Sequence, residues 1–253
     1  MTTNIYDGNK KVMATDSRWS IPYGPWLFYL DDTGYEKIER FGGYSLMFAG
    51  NGDKIQEYKD WIRSAPADDS GMPIEKGMSV CMIEDATGVV AFQKHQDIES
   101  QNVLCAGSGS LWAFGCWMDH RCSKQAVETA KSKDNQSGGD TKFIDFSTAA
   151  TNLVPVVGQA DIRIDTVTRN ILTRGIAMKI QTVPTGVPNL NFPKAPAANA
   201  SFDEATAREE AKKLAAAGQL NATAPCAGMH NDWSPEDKSQ FKHALGKMFG
   251  WKS

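Results

Sequence analysis

Residues 2 to 6 and 11 to 16 form two short extended runs around Asp7-Gly8-Asn9, whose residue types suit a hairpin turn, so a strand hairpin is expected to open the protein. Residues 19 to 26 contain Pro22, Gly24 and Pro25 and read as an irregular loop, with a strand over 26 to 30 ended by Asp31-Asp32-Thr33-Gly34. Residues 36 to 40 alternate charged and apolar side chains, and 44 to 49 form a mostly apolar run stopping at Gly50, so both predict strands. Ile55, Tyr58, Trp61 and Ile62 then recur at helical spacing, which predicts an amphipathic helix that stops before Pro66.

Residues 78 to 84 and 88 to 93 flank Asp85-Ala86-Thr87 as a second hairpin, and 103 to 106 read as a short buried strand. Gly107-Ser108-Gly109 breaks the chain, two helices are predicted over 110 to 122 and 123 to 133, and a strand over 141 to 146. After Ser147 the composition shifts. Residues 160 to 168 fit a strand through Ile162 and Ile164, residues 171 to 183 fit strand or helix, and proline-rich 184 to 200 reads as an extended arm. A helix is expected from Ser201 to 217, and a last one after Ser234-Pro235-Glu236-Asp237, where serine caps and proline takes the first helical position. The chain thus divides at this level into 1–147 and an extension, 148–253.

Composition narrows the possibilities. A chain of 253 residues, 41% hydrophobic, can bury a sizeable core, and a net charge of −3 gives no reason to expect nucleic acid or an anionic membrane as partner. Neither a signal peptide nor a membrane span is recognisable, which points to the cytoplasm. Five cysteines in apolar surroundings read as reduced thiols. Cys116, His120 and Cys122 lack a second ligand pair and are read as packing residues, so no metal is expected. Gly107-Ser108-Gly109 is weak as a phosphate cradle, since Trp112 stands where a third glycine belongs and no βαβ unit follows.

The chemistry lies at the start. Removal of Met1 would expose Thr2, which then carries a hydroxyl nucleophile and an amine base on one residue. Singly, Asp16 and Arg18 suit an ordinary turn, and Lys37 suits the solvent face of a strand. Their order says more: Asp16-Ser17-Arg18, Lys37-Ile38-Glu39, Phe48-Ala49-Gly50, Gly107-Ser108-Gly109 with Trp112-Ala113-Phe114-Gly115, and the turn from Asp134 to Ser137-Gly138-Gly139.

In that order these motifs resemble the proteasome β subunits and the bacterial HslV peptidase, members of the N-terminal nucleophile (Ntn) hydrolases. The resemblance covers residues 2 to about 147. It implies an α+β fold, a four-layer αββα sandwich, and a threonine protease or amidohydrolase without cofactor. The substrate would be a peptide or small amide and the protein a homo-oligomer, a ring or cage. Thr2 would be the nucleophile, Asp16 and Lys37 its pair, and Ser108, Asp134 and Ser137 the support of its amine. The Gly50 amide would face the oxyanion, and Trp19, Tyr35 and Phe48 would line the substrate pocket. The same motifs also suit a catalytically silent protein of this fold that keeps Met1, such as a component of a viral particle or cage.

Overall fold

A computed structural model describes residues 2–73, 77–153, 162–180 and 203–251. The chain opens with β1 (Asn4–Asp7) and β2 (Val12–Thr15), then β3 (Trp19–Tyr23), β4 (Trp26–Leu30), β5 (Ile38–Phe41) and β6 (Tyr44–Asn51), and enters α1 (Gly52–Arg63). Next come β7 (Met78–Glu84), β8 (Val89–Lys94), β9 (Ile98–Ser100) and β10 (Val103–Ala106), the helices α2 (Ser110–His120) and α3 (Ser123–Lys133), and β11 (Lys142–Asp145). The later elements are β12 (Ala150–Thr151), α4 (Ile164–Arg174), β13 (Ile176–Lys179), α5 (Glu204–Ala216), β14 (Thr223–Ala224) and α6 (Pro235–Phe249).

The strands make two antiparallel sheets. The first runs β12-β11-β2-β1-β10-β9; the second runs β13-β4-β3-β14-β6-β7-β8, with β5 also paired to β6. Strand alternation sends neighbouring residues to opposite faces, and here each face is buried. Ile5, Ala14, Val103 and Cys105 pack under Ala113, Trp117, Ala126 and Val127 of α2 and α3. Their neighbours Tyr6, Met13 and Leu104 meet Ile38, Met47, Cys81 and Ile83 of the second sheet. The far face of the second sheet carries the largest core, built with residues of α1, α4, α5 and α6. Burial on both faces explains why β1 and β10 have four buried residues each and no polar-outward pattern.

Several expectations change. Residues 19 to 26 form a hairpin, β3 and β4, closed by Gly24-Pro25 with Tyr23 opposite Trp26. In a two-residue hairpin the closing pair is hydrogen-bonded and the next is not, so Pro22, opposite Leu27, loses no bond to β4. Residues 164 to 174 are helix, where a strand was expected up to 168 and strand or helix from 171. Ile164, Val167, Thr168, Ile171 and Leu172 are its buried face, a helical pattern that a shorter reading through Ile162 and Ile164 mistakes for alternation. The next helix begins at Glu204, with the Asp203 carboxylate accepting from Thr206 N. The final helix starts as expected, with Ser234 and Asp237 forming a capping box. Met1, the 184–200 arm and Ser201 lie outside the described residues. The described part of 148–253 supplies strands to both sheets and side chains to the largest core, so it shares the first part's architecture rather than folding apart from it.

One buried cation of this core has a measurable consequence. Lys59 of α1 is 1% exposed, its ammonium 3.6 Å from the Glu39 carboxylate and 4.3 Å above the Tyr35 ring, and it donates to the Glu36 carbonyl. Burial pulls its pKa down to about 8, with Glu39 opposing. An unfolded lysine titrates near about 10.4, so between about pH 8 and 10.4 the unfolded chain binds more protons and this residue's contribution to stability rises with pH. Lys59→Met removes that rise. Urea unfolding of both proteins at pH 7 and pH 10 should show the wild type gaining on the order of 2–3 kcal/mol relative to the variant. Parallel behaviour of the two proteins would count against the buried ammonium.

Candidate active site

The β1–β2 hairpin, in which Asn4 faces Thr15, continues one step further so that Asp16 N donates to Thr3 O at 3.2 Å. That register carries the Asp16 carboxylate beneath the first described residues. Asp16 Oδ1 accepts from Thr2 Oγ1 at 2.6 Å and from Thr3 N at 2.8 Å. Its Oδ2 accepts from Gly138 N at 3.0 Å and Arg18 N at 3.2 Å. Lys37 stands one residue before β5, where its carbonyl accepts from Phe48 N at 2.9 Å and anchors it to β6. Its Nζ donates to Thr2 Oγ1 at 2.5 Å and to Asp16 Oδ1 at 2.7 Å. The side chains of Lys37 and Asp16 are fully buried, and Thr2 is too.

Two charges out of water are tolerable here because each is answered. Asp16 has four hydrogen-bond donors besides Lys37, whereas Lys37 has Thr2 and Asp16. Burial lowers the Lys37 pKa below that of a free lysine, and Asp16 restores part of it. The arrangement places a hydroxyl between an ammonium whose proton is loosened and a carboxylate. The ammonium favours negative charge at Thr2 Oγ1, and the carboxylate opposes it directly but holds the ammonium in place.

The second predicted trio also converges, but on the next residue. Ser108 donates to Asp134 Oδ2, and Ser137 Oγ reaches the same oxygen at 2.7 Å. Ser137 Oγ lies 2.7 Å from Thr3 Oγ1. Gly109 N donates to Thr2 O at 3.2 Å, so the loop that opens α2 holds the Thr2 carbonyl.

The remaining predicted residues are placed differently. Gly50, at φ +130°, sits in β6 opposite Met78 on one side and Ala224 on the other, where an added Cβ would stand 2.3 Å from Gly77 O. Trp19, Tyr35 and Phe48 belong to the largest core, with Trp19 Nε1 bonded to Tyr35 O at 2.9 Å. They are closed packing residues in this conformation, Trp19 and Phe48 on strands and Tyr35 in the loop between β4 and β5, each at most 5% exposed. Among the described residues no group of three or more metal-ligating side chains comes together, and all five cysteines are free thiols.

Sequence reasoning missed Thr3, Gly138 and Asp97. Thr3 gives Asp16 a backbone donor and Ser137 a hydroxyl. Asp97, following β8, accepts from Gly107 N through one oxygen and from Ala227 N at 3.3 Å through the other. Burial raises its pKa. Only the lone Asp in a polar loop signals it, and that signal is not specific.

Gly107 is fixed by contact as well as by conformation. At φ +104°, a Cβ there would stand 2.0 Å from Thr2 O and 2.7 Å from Thr2 C. Gly107→Ala should therefore lower thermal stability by several degrees, a loss of about 2–4 kcal/mol. Gly115→Ala on α2, where the added methyl meets nothing within 4 Å, should be neutral or stabilising by about 0.5–1 kcal/mol. Equal melting temperatures for the two variants would remove the claim that Gly107 packs on Thr2.

No family model and no curated protein matches the chain. Among solved structures it is similar to Thiobacillus denitrificans BPH in complex with epoxomicin, at 16% identity and TM-score 0.37, covering 57% of this chain and 97% of that one. It is also similar to eukaryotic HslV from Trypanosoma brucei, at 14% identity and TM-score 0.36, covering 56% of this chain and 99% of that one. At these scores the likeness carries no information on what this chain does.

Proposed function

We propose that this protein is an N-terminal threonine amidohydrolase or peptidase of αββα architecture that acts once Met1 is removed. The observation that carries the reading is the fully buried contact of Thr2 Oγ1 with Lys37 and Asp16. The layering is supported by three stacked cores: one under α2 and α3, one between the sheets, one under the other helices. With Met1 gone, the Thr2 nitrogen is an amine with a reference pKa near about 8, suited to take the hydroxyl proton at neutral pH. Thr2 Oγ attacks the carbonyl of a peptide or small amide and the leaving amine takes the proton. Water then resolves the acyl-enzyme. The ammonium of Lys37 favours the deprotonated hydroxyl, and Asp16 keeps that ammonium in place. A homo-oligomer suits the exposed Leu111 and Trp112 at the start of α2.

Intact-mass measurement with an electrophilic threonine-directed probe tests this. The expected result is loss of one methionine and one probe adduct on Thr2, absent in Thr2→Ala. The second reading, a silent structural protein of the same fold, is favoured by the complete burial of Thr2. Retained Met1 without an adduct would establish it instead.

A further inference from the structure

We infer that residues 222–230 form an internal strap that occupies the strand position a substrate chain needs beside Thr2, and that the strap withdraws before Thr2 reacts. This rests on the reading of Thr2 as nucleophile. The second sheet is continuous only because a two-residue strand from late in the chain joins β3 to β6. Thr223 stands opposite Ser20 and Asn51, and Ala224 opposite Gly50, antiparallel to both neighbours. Without β14, two strand edges face each other with unpaired backbone groups, a slot that fits one extended chain.

The strap competes for the group assigned to the oxyanion. Asn51 N donates to Gly77 O on the β7 side at 2.8 Å, and Gly52 N donates to Ala222 O on the strap side at 3.1 Å. Because successive backbone groups alternate direction along a strand, the Gly50 amide faces the strap, opposite Ala224. Past the strand, Cys226 packs on Ala49 and Ala106, with Met229 against them. Asp97 ties Ala227 N to Gly107 N, the loop residue that touches Thr2. The strap therefore fills the position beside the donor assigned to the oxyanion, and through Cys226 and Asp97 it lies against the β10 end and the Gly107 loop that packs on Thr2. Leu220 and Trp233 anchor its flanks in the largest core, to which the strap itself contributes the small side chains of Ala222 and Ala224, so its release gives up two alanines of that core while the flanks stay in place.

A cross-strand disulfide tests the strap in the full-length, Met1-free protein. Ser20 and Thr223 are register partners, and Ser20→Cys with Thr223→Cys would lock β14 to β3. The oxidised protein should label with the threonine-directed probe at least about tenfold more slowly than the same protein after reduction. Equal rates overturn the strap. Hydrogen exchange of the wild type supplies a readout that does not use Thr2. The amides of Ala222, Thr223, Ala224 and Cys226 should exchange at least about a hundredfold faster than those of β6 and β7, since local release is cheaper than global unfolding. Exchange of both together overturns the strap even if no form labels, whereas absent labelling with fast strap exchange overturns only the nucleophile.

Discussion

Asp16→Ala is expected to lower the unfolding free energy by about 3–5 kcal/mol, the largest loss among single substitutions at this site. Asp16 joins the first residues, the Lys37 ammonium and the Gly138 turn through one carboxylate. Its removal leaves Lys37 buried with the Thr2 hydroxyl as its hydrogen-bond partner, and the Thr3 and Gly138 N–H groups lose their acceptor while Arg18 N keeps the Gly138 carbonyl at 3.1 Å. Lys37→Met is milder, because Asp16 keeps its four other donors. Adding Lys37→Met to Asp16→Ala should then recover part of the loss, since it removes the uncompensated charge. Urea midpoints for the two single variants and the double variant check the ordering. A double variant no more stable than Asp16→Ala would show that unpaired charge is not what the aspartate relieves.

The fold was readable wherever a local pattern agreed with its long-range partner. The opening hairpin carried its own turn residues, and α1 and α6 carried apolar faces and stop or cap signals. Reading failed where tertiary cover overrode the local cue. Pro22 and Gly24 argue against a strand, yet the unpaired side of Pro22 lies where β14 ends, and Gly24 lies in the turn. The α4 face is visible only across the full span to Leu172. A two-residue strand such as β14 has no period, so no reading of residues 223 and 224 alone reveals that they bridge β3 and β6.

The site divided in the same way. Asp16, Lys37, Ser108, Asp134 and Ser137 were legible through the order of short motifs, and the structure brings them together around Thr2 and Thr3. Thr3 and Gly138 reach Asp16 through backbone amides, which any residue possesses, so that part of their role left no mark on composition. Trp19, Tyr35 and Phe48 were assigned to a pocket by resemblance, but all three pack into the largest core, Trp19 and Phe48 from strands and Tyr35 from the loop between β4 and β5.

Lys37→Met should reduce the rate of Thr2 acylation by about 10²–10⁴ while leaving a folded protein. The two halves of that expectation come from one asymmetry. Asp16 without Lys37 still accepts from Thr2, Thr3, Arg18 and Gly138, so the scaffold persists. Thr2 Oγ1 without Lys37 loses its donor at 2.5 Å and keeps only the acceptor Asp16, an environment that opposes an alkoxide. Lys37→Arg should not restore the rate, because a planar guanidinium has no room in a fully buried position built for one ammonium. Since burial lowers the Lys37 pKa, its deprotonation begins at lower pH than for a free lysine. Wild-type labelling should carry that inflection, and the Met variant should lack it. Probe-labelling rates measured from pH 6 to pH 10 on both proteins decide the matter: coincident profiles would exclude Lys37 from the chemistry, even if Thr2 itself is labelled.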